Sequence, residues 1–130
     1  MEKLTPQELQ FKRLELGSFN ELDGKLVAES LRAHRSLWHA FVFGRFQYGQ
    51  LIELRDLADG YLSADTLYLL AFPKEMDKLL EVIKGWKADE VGFAVRTESG
   101  VHGEGVIGSE ERKMLGGGAE DLVLVRVWWD

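Results

Sequence analysis

Residues 66–72, Thr66-Leu67-Tyr68-Leu69-Leu70-Ala71-Phe72, form a short apolar run closed by Pro73, and the chain changes its hydrophobic period there. Upstream, apolar residues recur at helical spacing. Within the run they are nearly continuous, as in a buried strand. Downstream, Pro73 opens a helix whose apolar face is Met76, Leu79, Leu80, Ile83 and Trp86. Glu75 and Asp77 lie in its first turn and Lys84 and Lys87 in its last, as the helix dipole favours. Glu90 to Arg96 is a second strand. Together these segments predict a βαβ unit that crosses over right-handed and pairs in parallel. The clearest strand is Leu122 to Trp129. It sends Val123, Val125 and Val127 to one face and Leu122, Leu124, Arg126 and Trp128 to the other. Of the adjacent Trp128 and Trp129, one is expected in the core.

Three helices are expected before the run. Thr5, Pro6 and Glu8 mark the first with an N-cap, a first-turn proline and a capping box, Leu4 and Leu9 are spaced as a hydrophobic staple, and Gly17 is read as a left-handed stop. Ser18 and Glu21 form a second capping box. In the helix it starts, Val27, Leu31, His34, Trp38, Phe41 and Val42 fall on one stripe at about 100° per residue. A third helix runs from about Phe46 to Asp59, with Leu51, Leu54, Ala58 and Tyr61 at helical spacing and Gly60 as its stop. After the second strand, residues 97–108 are glycine-rich and read as a hairpin arm through Val101, Val106 and Ile107. Ser109 caps a short helix ending near Leu115, and Gly116-Gly117-Gly118 is a turn. The expected architecture is α+β: three N-terminal helices on one face of a small mixed sheet of three or four strands with one βαβ unit. It is read as one domain over residues 1–130, helical over about 5–60 and sheet-containing over about 65–129.

Composition narrows the function classes. The 130 residues carry no cysteine and a net charge of −6. Disulfides, thiolate metal sites and cysteine nucleophiles are therefore excluded, and non-specific binding of nucleic acid or an anionic membrane is not expected. The polar N-terminal residues do not resemble a signal peptide, and no apolar run approaches the roughly 20 residues of a membrane span. The expectation is a cytoplasmic protein. Four Trp, seven Phe and three Tyr are more aromatic surface than one small core obviously consumes, so a homo-oligomer is expected.

The most informative feature is a charge asymmetry. No acidic residue occurs between Glu29 and Glu53, and that window holds Arg32, Arg35, Arg45, His34 and His39 among Trp38, Phe41, Phe43, Phe46 and Tyr48. On a continuous helix Arg32, Arg35 and His39 fall within roughly 60° of one another, and Phe43 extends the face. Arginine beside exposed aromatics is the composition of binding hot spots. The expectation is therefore a non-enzymatic interaction or ligand-sensing domain taking an acidic protein partner or a small anionic ligand on Arg32, Arg35, His39 and Phe43. A solvated helix face is the competing reading. His34, in the apolar stripe, is read as a structural histidine bonded to backbone.

The enzymatic alternative places an acid–base histidine, His39 or His102, near the glycine-rich loop, with Glu104 beside it. Convergence of Arg35 and His39 with His102 or Glu104 would favour it. Gly103-Glu104-Gly105-Val106-Ile107-Gly108 matches Gly-x-Gly-x-x-Gly by letter, but too few strand–helix units follow for a dinucleotide fold. His34 and His39 lie about 140° apart on a helix, so no metal site is expected, and no cofactor either. A subunit of a larger assembly, with no site of its own, is the third reading.

Overall fold

The computed structural model describes residues 4–19, 21–45, 50–97, 100–104, 108–115 and 121–129. Helix α1 (Pro6–Glu15) begins as the sequence reads: Thr5 accepts from the Glu8 N–H at 3.1 Å, and Phe11 and Leu14 are buried. Its end differs. Gly17 is not left-handed; it lies against Phe43, whose ring atom would meet a Cβ there at 2.9 Å. Ser18 and Glu21 cap nothing, because β1 (Ser18–Phe19) and β2 (Leu22–Asp23) form a small antiparallel ladder. Asp23 is the true cap of α2 (Gly24–Ala33), accepting from the Leu26 N–H at 3.2 Å.

The long second helix is the largest correction. It stops at Ala33, passes through a 3-10 turn at Arg35–Leu37 and becomes strand β3 (Trp38–Gly44). The segment satisfies both periods: Leu31, Trp38 and Phe41 are helix-spaced, while Trp38, Phe41 and Phe43 are inward on a strand with a register shift between Trp38 and Ala40. Pairing with β4 (Thr66–Ala71) decides between them. Propensity agrees, since aromatic and β-branched residues suit a half-buried pleat.

Helix α3 (Gln50–Ala58) follows, then β4, α4 (Met76–Lys84), β5 (Glu90–Thr97), β6 (Gly100–Glu104), α5 (Gly108–Met114) and β7 (Val123–Trp128). The expected start of the third helix at residues 46–49 lies outside the described residues, as do Val106, Ile107 and the 116–118 turn. Gly60 ends α3 region as expected, with φ +90°.

The fold is α+β. Its main sheet has five strands in the order β3-β4-β7-β5-β6, every pair antiparallel. The sheet is thus neither mixed nor limited to three or four strands. β4 and β5 do run the same way, but β7 lies between them, so they do not pair. The reason is burial: Val123, Leu124, Val125, Arg126 and Val127 are all buried, which suits a central strand covered on both faces.

One face of the sheet carries the row Phe41, Leu69, Val125 and Phe93 and packs against Phe11 and Leu14 of α1, Val27 and Leu31 of α2, and Leu79 and Ile83 of α4. Trp38 and Trp129 are wholly buried there, donating from Nε1 to Leu31 O at 2.9 Å and Trp86 O at 3.0 Å. Trp129 is thus the core tryptophan, and Trp128 is half-buried. The other face carries Tyr68, Leu124 and Arg126 and meets α5. The helices are therefore divided between the two faces.

Strand β3 is an edge, and α1 covers it with side chains. Gln7 accepts from Phe41 N at 3.1 Å and donates to Phe41 O at 3.0 Å, Gln10 accepts from Phe43 N at 2.9 Å, and Arg13 Nε donates to Phe43 O at 2.6 Å. An edge strand with unpaired amides invites pairing with another chain, and here a helix supplies the missing partners. Gln7→Ala with Gln10→Ala should lower stability by about 2–3 kcal/mol, near the cost of orphaning partly buried backbone groups. A urea melt with a midpoint equal to wild type would show that water replaces the glutamines at no cost.

Candidate functional site

The outer face of the sheet is only partly covered. α5 contacts β5, β6 and β7. Over β3 and β4 a groove of about 610 Å³ remains, walled by Val42 on β3, Tyr68 on β4, Leu124 on β7 and Glu110, Glu111, Met114 and Leu115 at α5, with Arg45 also lining it. A shallower depression of about 190 Å³ extends it over Ala40 and Leu70. Its walls are mainly apolar with a few polar groups converging on them, which is the usual make-up of a small-molecule site.

The polar groups are set by the strand pleat. Tyr68 and Arg126 are opposite each other in the β4–β7 register, so both stand on the outer face. Burial, the Glu111 charge and Asp65 push the Tyr68 phenol up to about 12, with Arg126 opposing. At neutral pH it keeps its proton and is a hydrogen-bond donor. Burial also raises the Glu111 carboxyl above its ordinary value, again with Arg126 opposing. Arg126 is only 5% exposed and donates to Glu90 at 3.1 Å. Arg45 donates to Ser63 O at 2.6 Å, which holds its guanidinium beside the groove.

The residues expected to form one helix face do not form it. Arg32, on α2, pairs with Glu8 at 3.1 Å and Glu15 at 3.7 Å and stacks 3.8 Å over Phe11. That hydrogen bond holds the Glu8 carboxyl below its ordinary value. Arg35 lies in the 3-10 turn, donates to Trp38 O at 2.7 Å and stacks 4.0 Å over Trp38. His39 is exposed on β3, its ring 6.0 Å from Phe72. Phe43 is 1% exposed, within the core. Arg32 and Arg35 thus serve packing between α1, α2 and β3, and the face disperses because the helix it requires ends at Ala33. His34 does bond backbone, with Nδ1 2.9 Å from Ser30 O, but on the surface at the end of α2.

The residues weighed for acid–base chemistry are not brought together either. His39 is on β3 and His102 and Glu104 are on β6, the two opposite edges of the sheet. The side chains of His102 and Glu104 lie outside the described residues, as do residues 105–107 of the glycine motif. Among the described residues no cluster of three or more His, Asp or Glu is placed to hold a metal ion, and no helix is long and apolar enough to cross a membrane.

Of the groove residues, Val42 and Arg45 belong to the acid-free window. Tyr68 and Glu111 in the groove, and Arg126 opposite Tyr68 on the same sheet face, were missed as site residues. The signal was present for two of them: Tyr68 interrupts an apolar run, and Arg126 interrupts a valine strand. These traits define the chain as an antiparallel α+β domain with an amphipathic groove on its outer sheet face. No protein-family model, no curated protein and no solved structure matches it.

Proposed function

We propose that this chain is a non-enzymatic ligand-sensing or interaction domain that takes a small, largely apolar molecule with an acidic end in the outer-face groove. The anionic ligand expected from the acid-free window is kept, and its place moves from a helix face to the groove. The observation that carries this reading is an apolar groove of about 610 Å³ with Arg45 along its wall. Val42, Leu124 and Leu115 cover the ligand's apolar body, and the Tyr68 phenol donates to an acceptor on it. Arg45 faces the acid, and a guanidinium suits a carboxylate through two parallel hydrogen bonds. The domain works in the cytoplasm as a homo-oligomer; a cysteine-free sequence agrees with a reducing compartment.

Titration with decanoate and with decanol, followed by displacement of an anilinonaphthalenesulfonate probe, tests the reading. Wild type should bind both. Val42→Trp fills the groove and should weaken both by more than about tenfold, about 1.4 kcal/mol. Arg45→Gln should weaken decanoate by a similar factor and leave decanol nearly unchanged. Equal binding of both ligands to wild type and Val42→Trp would remove the groove from consideration.

A further inference from the structure

Helix α3 is amphipathic in the wrong sense for a monomer. A surface helix normally turns its apolar stripe inward and its charges outward. Here Leu51, Leu54, Leu57 and the following Tyr61 are 77%, 64%, 50% and 55% exposed, while Asp56 is the buried residue of the helix. Leu51, Leu54, Ala58 and Tyr61, whose helical spacing marks this helix in the sequence, are therefore on the surface. At about 100° per residue Leu57, Leu54, Ala58 and Leu51 form one stripe roughly 120° wide, with Asp56 on the far side and Glu53 flanking Leu57 at its edge.

The orientation is held by the acids. Glu53 pairs with Arg13, the α1 side chain that also caps the β3 edge. Asp56 accepts from the Tyr61 hydroxyl at 3.0 Å and from Arg55 at 2.9–3.0 Å. Rolling α3 to bury its leucines would break the Arg13–Glu53 pair, the one of these contacts that ties α3 to another element, so the outward stripe is a built feature of the fold.

We propose that this stripe is a self-association surface, on which two copies of the chain pair α3 against α3, antiparallel, about a two-fold axis. The proposal names the surface for the homo-oligomer reading above and is independent of the groove's ligand. Three observations favour a second copy as the occupant. A two-fold contact needs only one patch that complements itself. Arg55, which is exposed although it also bonds Asp56, lies with Asp59 on the same flank of the stripe, four residues apart with opposite charge, and an antiparallel pair brings Arg55 of one copy towards Asp59 of the other. Ala58 within the stripe lets two helix axes approach closely. Leu51, Leu54, Leu57 and Tyr61 are each at least half exposed and adjoin Arg55, Asp59 and Gln50, which are exposed too, so the patch can contribute to the ~800 Å² that a specific dimer buries on each partner.

Sedimentation velocity on the full chain, from about 1 µM to about 100 µM, tests this across the affinities of ordinary homodimers. Wild type should be dimeric. Leu51→Glu with Leu54→Glu should weaken the dimer by at least roughly 100-fold, as expected for central hot-spot residues. Leu16→Glu, equally exposed but at the C-cap of α1, should leave it unchanged. Wild-type monomer throughout would overturn both this surface and the homo-oligomer reading. A dimer that survives Leu51→Glu with Leu54→Glu would overturn the surface alone. If that variant fails to fold by circular dichroism, Ala58→Cys decides: the chain has no other cysteine, so oxidation should give a cross-linked dimer, and its absence would overturn the pairing. A wild-type monomer that instead sediments with phosphatidylcholine–phosphatidylglycerol vesicles would assign the stripe to a lipid surface and overturn self-pairing.

Discussion

Gly24→Ala is expected to cost well over about 3 kcal/mol, or to leave the chain unfolded, although alanine is the better helix former. A Cβ at residue 24 would lie 1.9 Å from Leu14 O and 2.6 Å from Gly17 O. Both obstacles are backbone, so no rotamer change relieves them. Nor can the chain swing aside, because Gly24 N donates to Gly17 O at 3.0 Å at this crossing. The contact joins the end of α1 to the start of α2, and separating them would loosen Phe11, Leu14, Val27 and Leu31 together. Gly85→Ala is the control, since a Cβ there meets only Val82 O at an ordinary 3.5 Å. Thermal melts of the two variants should differ by well over ten degrees for a domain of this size. Matching midpoints would mean that α1 and α2 do not approach as described.

Arg126→Ala should cost about 1.5–3 kcal/mol, the range for losing a charge-assisted hydrogen bond, here from a buried guanidinium to the partly exposed Glu90. The sequence alone makes Arg126 a cheap site if its strand face meets solvent. α5 covers that face, so the substitution removes the cation facing Glu90 and opposing the burial of Glu111. The loss should also depend on pH. The folded Glu111 carboxyl lies above its ordinary value, so its contribution is fully present below that ordinary value. It is lost as pH rises through the folded value, because the unfolded chain gives up the proton first. Arg126 opposes this rise, so without it the folded value climbs further and the window widens. Urea melts near about pH 5 and about pH 8 should therefore show a larger deficit for Arg126→Ala at the higher pH. A larger deficit at the lower pH would show that Glu111 is not the group affected. Val125→Ala, on the opposite face, should lose about 1–3 kcal/mol at both.

The candidate site was legible only in part. The acid-free window does lead to the groove, through Val42 and Arg45, yet the residues picked from it were Arg32, Arg35, His39 and Phe43. Helical geometry grouped those four, and the chain leaves that geometry at Ala33. Tyr68 and Arg126 were visible as polar interruptions of apolar strands. Their convergence with Glu111 was not, because it depends on β7 entering between β4 and β5 and on α5 crossing the outer face.

Local sequence was enough for the elements whose signals lie within a few residues of one another: α1 from Thr5, Pro6 and Glu8, β4 and β7 from apolar runs, and α4 from its stripe and end charges. It also determined that the protein is α+β. Tertiary structure decided everything that needs a partner far along the chain. Residues 38–43 satisfy both a helical and an alternating period, and β4 together with the α1 glutamines selects the strand. The α3 stripe has the spacing of a core face, and the Arg13–Glu53 pair turns it outward. Gly24 opens α2 and is also the point where two backbones touch, which no neighbouring residue in the sequence signals. In each case the local free-energy difference between alternatives is small, about 1 kcal/mol per residue or less, and contacts made many residues away outweigh it.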